Sequence, residues 1–537
     1  MTVHGLRAGA VLRSMAQGRS PERLLSYRHV YLPAIGRRPP PGKGPSVSID
    51  ERNTPPATDH PGAPESPSPV DSPESRHEPD AQVAVGPAAR PVLRLVPKRC
   101  ASGRNAGTAS HSASPLSPLA LAQPAQDCAV LEAHASTREL VTYVSGQPGV
   151  GKSTFLLHQI LADIAAGRSC VVIDPHGDLV KDVMRRMPSD PATLSRVALF
   201  DPADAGWPVG MDLLDARTEE AQDLVVQFMF EMFEELFLPE HQGPVFHQSM
   251  SNGLRLVMET GGCLAEVPLL FTEEATAKRL IPLCKNPFVR HYFVNVWGKT
   301  LGQPRSELLA YFTSKLSRFL DDRVLRNILS QKSQLDLGRF MNGGGILLAD
   351  LSRGSVGDLN ARMLGMILLH RIARATLERA ECSPDNRRPA QVYVDEFHEL
   401  ATPQLYRLLT AARKYNVGFT LAHQRLDMLP RQAQETVVGT AGHLVLFRQG
   451  SEASNLPLDD LLWPRFGISD LLRLPNFKAV ARVTPRDGVA RIGRITVPSV
   501  KDGEPGMQDR IREISRKLYA RPRAEVEEDI LIRLGWI

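Results

Sequence analysis

The 537-residue chain has only six cysteines, Cys100, Cys128, Cys170, Cys263, Cys284 and Cys382, and no C-x-x-C pair. Such spacing excludes a disulfide scaffold and a cysteine-type zinc site, and it suits a reducing compartment. No apolar run reaches the roughly 18 residues that a membrane-spanning helix needs. A secretory signal is also missing, because the apolar stretch around Ala8–Leu12 is broken by Arg7 and Arg13. No internal repeat is evident. The formal charge of +5 invites a nucleic-acid reading until it is divided along the chain. The first 126 residues hold 15 Lys and Arg against 9 Asp and Glu, while the remainder holds 49 against 50. The basic excess therefore belongs to the tail and says nothing about the folded part.

What is present is enough for a large core. The length predicts two to four domains, and 42% hydrophobic with 23% charged residues is an ordinary globular composition. Residues 1–128 read as a disordered tail, rich in Pro and Ser, with too few large apolar groups to offset chain entropy. Its Arg-rich first 38 residues read as a basic tail in preference to an organellar transit peptide. From 129 to 214 strand and helix patterns alternate: a strand over Glu139–Val144, a helix over Ser153–Ala166, a strand over Ser169–Ile173, a helix over Leu179–Arg186 and a strand over Arg196–Phe200. That rhythm predicts a parallel sheet covered on both faces. Residues 215–338 show helical spacing only, over Thr218–Phe237, Val245–Glu259, Thr272–Lys285 and Ser306–Asp321, and read as an all-α insertion. The alternation resumes over 339–500, with strands at Gly345–Leu351, Gln391–Val394, Gly418–Ala422 and His443–Phe447 and helices at Leu359–Arg379 and Pro403–Lys414. A smaller strand pair, Ala479–Val483 and Ala490–Thr496, precedes two C-terminal helices over 501–537.

The chemistry begins at Gly146-Gln147-Pro148-Gly149-Val150-Gly151-Lys152-Ser153-Thr154, which fits G-x-x-x-x-G-K-[ST] between a strand and a helix. Gly146, Gly149 and Gly151 let the loop's backbone N–H groups, with those of Val150 and Thr154, converge on phosphate oxygens. The helix N-terminus adds a favourable field for negative charge. Lys152 would reach the β- and γ-phosphates of ATP, and Ser153 would offer its hydroxyl to Mg²⁺.

A second acidic motif, Gln391-Val392-Tyr393-Val394-Asp395-Glu396, is an apolar strand ending in two carboxylates. Asp395 would hold the Mg²⁺ shell and Glu396 would polarise the attacking water. The 243 residues between Lys152 and Asp395 far exceed the span of two or three strand–helix units, and the helical insertion accounts for the surplus. His398-Glu399 does not extend to a zinc-protease motif, because position 402 is Thr.

The phosphate loop is followed in order by Asp174-Pro175-His176-Gly177-Asp178-Leu179, Asp201-Pro202-Ala203-Asp204 with Pro208-Val209-Gly210, Val394-Asp395-Glu396-Phe397, Arg413-Lys414-Tyr415, Leu421-Ala422-His423-Gln424 and Phe447-Arg448. This series resembles the HerA–FtsK superfamily of P-loop ATPases, nearest to the soluble ATPase domain of type IV secretion and conjugative DNA-transfer coupling proteins of the TraD/TrwB kind. The resemblance covers about 131–500. It implies an α/β RecA-like fold with a mostly parallel sheet, assembled as a homo-hexameric ring that hydrolyses ATP between subunits and drives DNA through its channel. It also implies that Gln424 is the polar sensor beside the γ-phosphate and that Arg413 enters the neighbouring subunit's site, with Arg448 as the rival finger. The Asp174–Leu179 motif carries no assigned chemical step and reads equally well as a structural turn.

Coupling proteins often carry N-terminal membrane helices, which are not seen here, so a cytoplasmic protein or one recruited to a membrane by secretion or conjugation partners is expected. A secretion ATPase acting on protein substrates is the alternative. A nucleotide kinase would need an Arg-rich lid, and the insertion has no such cluster.

Overall fold

The computed structural model describes residues 130, 134–216, 218–237, 243–299, 306, 309–310, 315–451 and 456–537. The tail expected over 1–128 and part of the helix expected over Ser306–Asp321 lie outside them. Nine strands form one sheet: β1 Val141–Ser145, β2 Ser169–Asp174, β3 Val197–Phe200, β4 Ile346–Asp350, β5 Ala390–Val394, β6 Val417–His423, β7 Ala441–Leu446, β8 Lys478–Val483 and β9 Arg491–Thr496. Their spatial order is β3-β4-β2-β5-β6-β1-β7-β8-β9, parallel from β3 to β7 and antiparallel from β7 through β9. This is the mostly parallel α/β sheet of a RecA-like core.

The sheet faces separate by strand parity. Val171 and Ile173 of β2 enter one apolar core, and Cys170 and Val172 enter the other. The second core takes α1, Lys152–Ala165, and α2, Asp178–Arg186. The first takes the inserted helices, led by α3, Glu219–Leu236, and α4, Pro244–Glu259. It also takes α5, Asp358–Leu377, α6, Pro403–Ala411, and α7, Arg431–Thr440. Strands with two covered faces read as continuous apolar runs, which β2 and β5 do. Between Glu219 and Gly343 the described residues contain no strand, and the helix Leu337–Gly343 straddles the expected boundary at 338.

The C-terminal helices, α8 Met507–Tyr519 and α9 Arg523–Leu534, tie these parts together. Met507 and Ile511 pack into the second core, while Ser515 Oγ accepts from the backbone of Leu199 at 2.8 Å and so occupies the edge of β3. Val526, Ile530 and Leu534 pack on Cys263, Ala265 and Leu269 of the insertion.

Several elements differ from the sequence expectation. The helix expected over Thr272–Lys285 is broken: Glu273 is extended, the helix Glu274–Leu280 follows, and Pro282 tightens the end. The expected Pro403–Lys414 helix stops at Ala411, and a tight turn over Ala412–Tyr415 ends at left-handed Asn416. The smaller strand pair, whose place in the core the sequence left open, extends the main sheet through β7. Helix α7 had no counterpart in the sequence reading. Among the described residues no helix is long and apolar enough to cross a membrane.

Candidate functional site

Parallel strands bring their carboxyl ends to one edge of the sheet, where open α/β proteins bind ligands. Reading that edge along the sheet gives Asp201 after β3, Asp350 on β4, Asp174 on β2, Asp395 and Glu396 after β5, Gln424 after β6, the phosphate loop after β1 and Arg448 after β7. The edge thus runs from acidic through the loop to basic.

The phosphate loop leaves β1 and turns into α1 at Gly151, which is left-handed at φ 111°. A Cβ there would lie 2.8 Å from the Phe477 ring, so both backbone conformation and close approach call for glycine. Val150 is buried, Ser153 is exposed and Thr154 is half-buried. Gly146 abuts Phe447, and Gly149 stands clear of neighbours. Lys152 Nζ donates to the carbonyls of Gly146 at 2.7 Å and Gln147 at 3.1 Å, folding back over the loop. Burial pulls its ammonium below the usual range, while Glu396 and Asp395 oppose that shift. Arg448 braces the loop from its own chain: its carbonyl accepts from Gln147 N at 2.9 Å and its Nε donates to Gln147 Oε1 at 3.2 Å.

Across from Lys152, Asp395 accepts from Glu396 N at 3.0 Å. Burial, followed by the charges of Asp174 and Glu396, raises Asp395 to about 7. Glu396 is a non-glycine residue at φ 42°, a conformation that turns its carboxylate away from the strand direction. Its Oε1 accepts from Gln424 Nε2 at 3.2 Å. Its Oε2 lies 3.5 Å from His398 Nδ1 and has no hydrogen-bond partner among the described residues. Two expected site residues from separate strands, Glu396 and Gln424, therefore meet. His398 and His423 flank them, with His423 held by Tyr143 Oη at 2.8 Å and lowered to about 3 by burial.

Asp174 does a structural job the sequence did not resolve. Its carboxylate accepts from His176 N at 2.9 Å and Val180 N at 3.2 Å, capping the entry to α2. Gly177, at φ 82°, packs so tightly on Asp350 and Ser352 that any Cβ would collide with them. The motif fixes the turn that brings Asp174 beside Asp395.

Arg413 lies elsewhere. It sits in the exposed turn before β6, at the amino edge of the sheet, whereas Gln424 ends the same strand. Seven residues of strand at about 3.3 Å each separate the two edges by roughly 20 Å, so Arg413 does not reach its own phosphate loop. The turn is rigidly held. Arg387 donates to Lys414 O at 2.8 Å, buried Arg379 donates to Tyr415 O at 3.0 Å, and Asn416 N donates to Arg413 O at 3.0 Å. Arg448 and Arg413 thus part company: the first is fixed on its own loop and the second is presented outward at the far edge.

The residues fit a magnesium nucleotide. The loop is shaped by glycines, and among the described residues its lysine donates only to carbonyls and an oxygen of Glu396 opposite is left unpaired. Sequence reasoning missed Arg448's bracing role and Phe477, because each comes from a segment distant from the loop in sequence and carries no local signature; His398, two residues after Glu396, was weighed only as part of a zinc motif.

No family model matches the chain, and no curated protein matches it. Solved structures do. The plasmid coupling protein TrwB, solved with the non-hydrolysable GTP analogue GDPNP, is 16% identical with a TM-score of 0.48, covering 68% of this chain and 88% of that one. VirB4 of Thermoanaerobacter pseudethanolicus is 14% identical with a TM-score of 0.47, covering 68% and 90%. The genome packaging NTPase B204 of Sulfolobus turreted icosahedral virus 2 is 12% identical over 30% of this chain and 68% of that one, with a TM-score of 0.21.

Proposed function

We propose that the chain is an ATP-hydrolysing motor of the conjugative-transfer or HerA-like kind, working as a homo-hexameric ring that translocates DNA. The observation that carries this reading is the division of labour between the two sheet edges. Lys152, Asp395, Glu396 and Gln424 gather at the carboxyl edge, while the braced Arg413 turn stands at the amino edge. Head-to-tail copies would lay that turn against the next copy's site, as a ring requires.

ATP is the substrate. Gly146, Gly149, Val150, Gly151 and Thr154 present backbone N–H groups to its phosphates, and Lys152 exchanges its two carbonyl partners for phosphate oxygens. Ser153 and Asp395 would hold Mg²⁺, which would supply neutralising charge to those oxygens. Glu396 takes the proton from the attacking water as the bond between the γ-phosphorus and ADP's oxygen breaks. Gln424 donates to Glu396 and so keeps its carboxylate oriented without adding charge. Arg413 of a neighbouring copy supplies a cation to the transferring phosphoryl group. The DNA assignment rests on the ordered motifs.

The test is the ATPase rate of the full chain with and without single- and double-stranded DNA at fixed salt, with particle size recorded. Stimulation by either form in a ring-sized particle is expected. No stimulation by DNA, with stimulation by a protein substrate, would replace this reading with that of a secretion ATPase.

A further inference from the structure

We infer that Phe477 is the stacking platform for the nucleobase of the bound nucleotide. The inference rests on the nucleotide-site reading above and deepens it.

Phe477 stands immediately before β8, about 325 residues from the phosphate loop in sequence yet pressed against it. Its backbone N–H donates to Val150 O at 2.7 Å, and its own carbonyl accepts from Val497 N at 2.8 Å. These two bonds lock the residue at φ 60°, a left-handed conformation that a Phe adopts at a cost. Strain of this kind persists only where surrounding structure enforces it, and it concentrates at ligand clamps. The ring edge lies over Gly151, and 44% of the residue remains exposed. A large aromatic is thus held in a strained pose, half in water, at the rim of a phosphate-binding loop. Ordinary core packing would have buried it.

Direction completes the argument. β1 has β6 on one side and β7 on the other. The hydrolytic groups Glu396 and Gln424 arrive from β5 and β6, so the terminal phosphate points to that flank. The nucleoside must therefore leave the loop toward β7 and the approach to β8, where Phe477 waits. Stacking on an aromatic face needs no base-edge hydrogen bonds and suits any nucleobase.

The experiment uses the full chain and two probes in the presence of Mg²⁺: ADP labelled on its ribose with a fluorophore, and inorganic tripolyphosphate as its competitor. Phe477→Ala should weaken labelled ADP roughly 5- to 150-fold, the range for loss of one base–aromatic stack, and leave tripolyphosphate within about twofold. Phe477→Leu, which keeps apolar bulk over Gly151, should show the nucleotide-selective loss as well, and Phe477→Trp should restore binding. Equal losses for both probes would overturn the inference, since Phe477 would then only shape the loop. Unchanged ADP binding in both the Ala and Leu variants would overturn it too, with the nucleotide site intact. A wild-type chain that binds neither probe would remove the nucleotide-site reading itself, and this inference with it.

Discussion

Replacing Glu396 with Gln should separate stability from turnover. The residue is only 6% exposed, and Asp395 beside it feels the charges of both Glu396 and Asp174, so the fold holds several carboxylates in one poorly solvated corner, with Lys152 as the facing cation. One oxygen of Glu396 accepts from Gln424, and the other has no partner among the described residues. A Gln keeps the shape and removes a charge from that corner. Loss of a buried, half-satisfied carboxylate beside Asp395 is offset by loss of its attraction for Lys152, so stability should stay within about 1 kcal/mol of wild type. The same change removes the carboxylate proposed to take the proton from water, and its loss in that role should cost about 10²–10⁴ in rate, equivalent to roughly 3–5 kcal/mol of barrier. Nucleotide binding should persist, because the loop keeps its geometry and Asp395 still faces the Lys152 ammonium. Denaturant unfolding, labelled-ADP binding and steady-state ATPase rates on one preparation check all three. Turnover within tenfold of wild type would refute the role of Glu396. Destabilisation beyond about 1 kcal/mol would refute the electrostatic account of the corner.

Gly177→Ala should destabilise the fold by about 2–5 kcal/mol, combining a left-handed alanine with overpacking against Asp350 and Ser352; a loss under 1 kcal/mol in urea unfolding would contradict that packing. For the trans arrangement, Arg413→Ala and Lys152→Ala chains should each be inactive alone and regain part of the activity when mixed, and no rescue in mixed rings shown by size to form would count against Arg413. His443 is fully buried, accepts from Thr484 N at 3.3 Å and lies 3.0 Å from Thr137 O, and burial lowers it to about 4. Its folded value lies below its unfolded value near 6.5, so the unfolded chain takes up the proton first and the stability it contributes is lost as pH falls from 6.5 toward 4. That contribution is about 3 kcal/mol, and unfolding free energies measured across this range should fall less steeply in His443→Gln; parallel curves would refute the assignment.

How much of this was legible beforehand depends on the range of the interaction. The phosphate loop is contiguous, and its glycines, lysine and serine occupy adjacent positions whose spacing is set by one turn of chain. Asp395-Glu396 was readable for the same reason, as an apolar strand ending in acids. The strand rhythm and the helical insertion followed from periodicity, because burial on two faces or on one stripe leaves a local pattern. Pairings across the sheet left none. Nothing near Lys478–Val483 says which strand it joins, and nothing near Phe477 says that it rests on Gly151. The contact of Gln424 with Glu396 and the link of Arg448 to Gln147 likewise arise only when parallel strands bring their ends to a common edge.

The same distinction separates the two arginines. By sequence Arg413 and Arg448 were rival candidates for a neighbour's site, since each lies near a strand and nothing local orders them. Strand direction separates them: Arg448 follows β7 at the edge that holds its own loop, and Arg413 precedes β6 at the other. The sequence by itself determined which chemistry the chain can carry, because phosphate-binding and carboxylate motifs are short and contiguous. Only the tertiary structure decided which groups share a site and which face outward, because parallel strand order and direction are properties of the whole sheet.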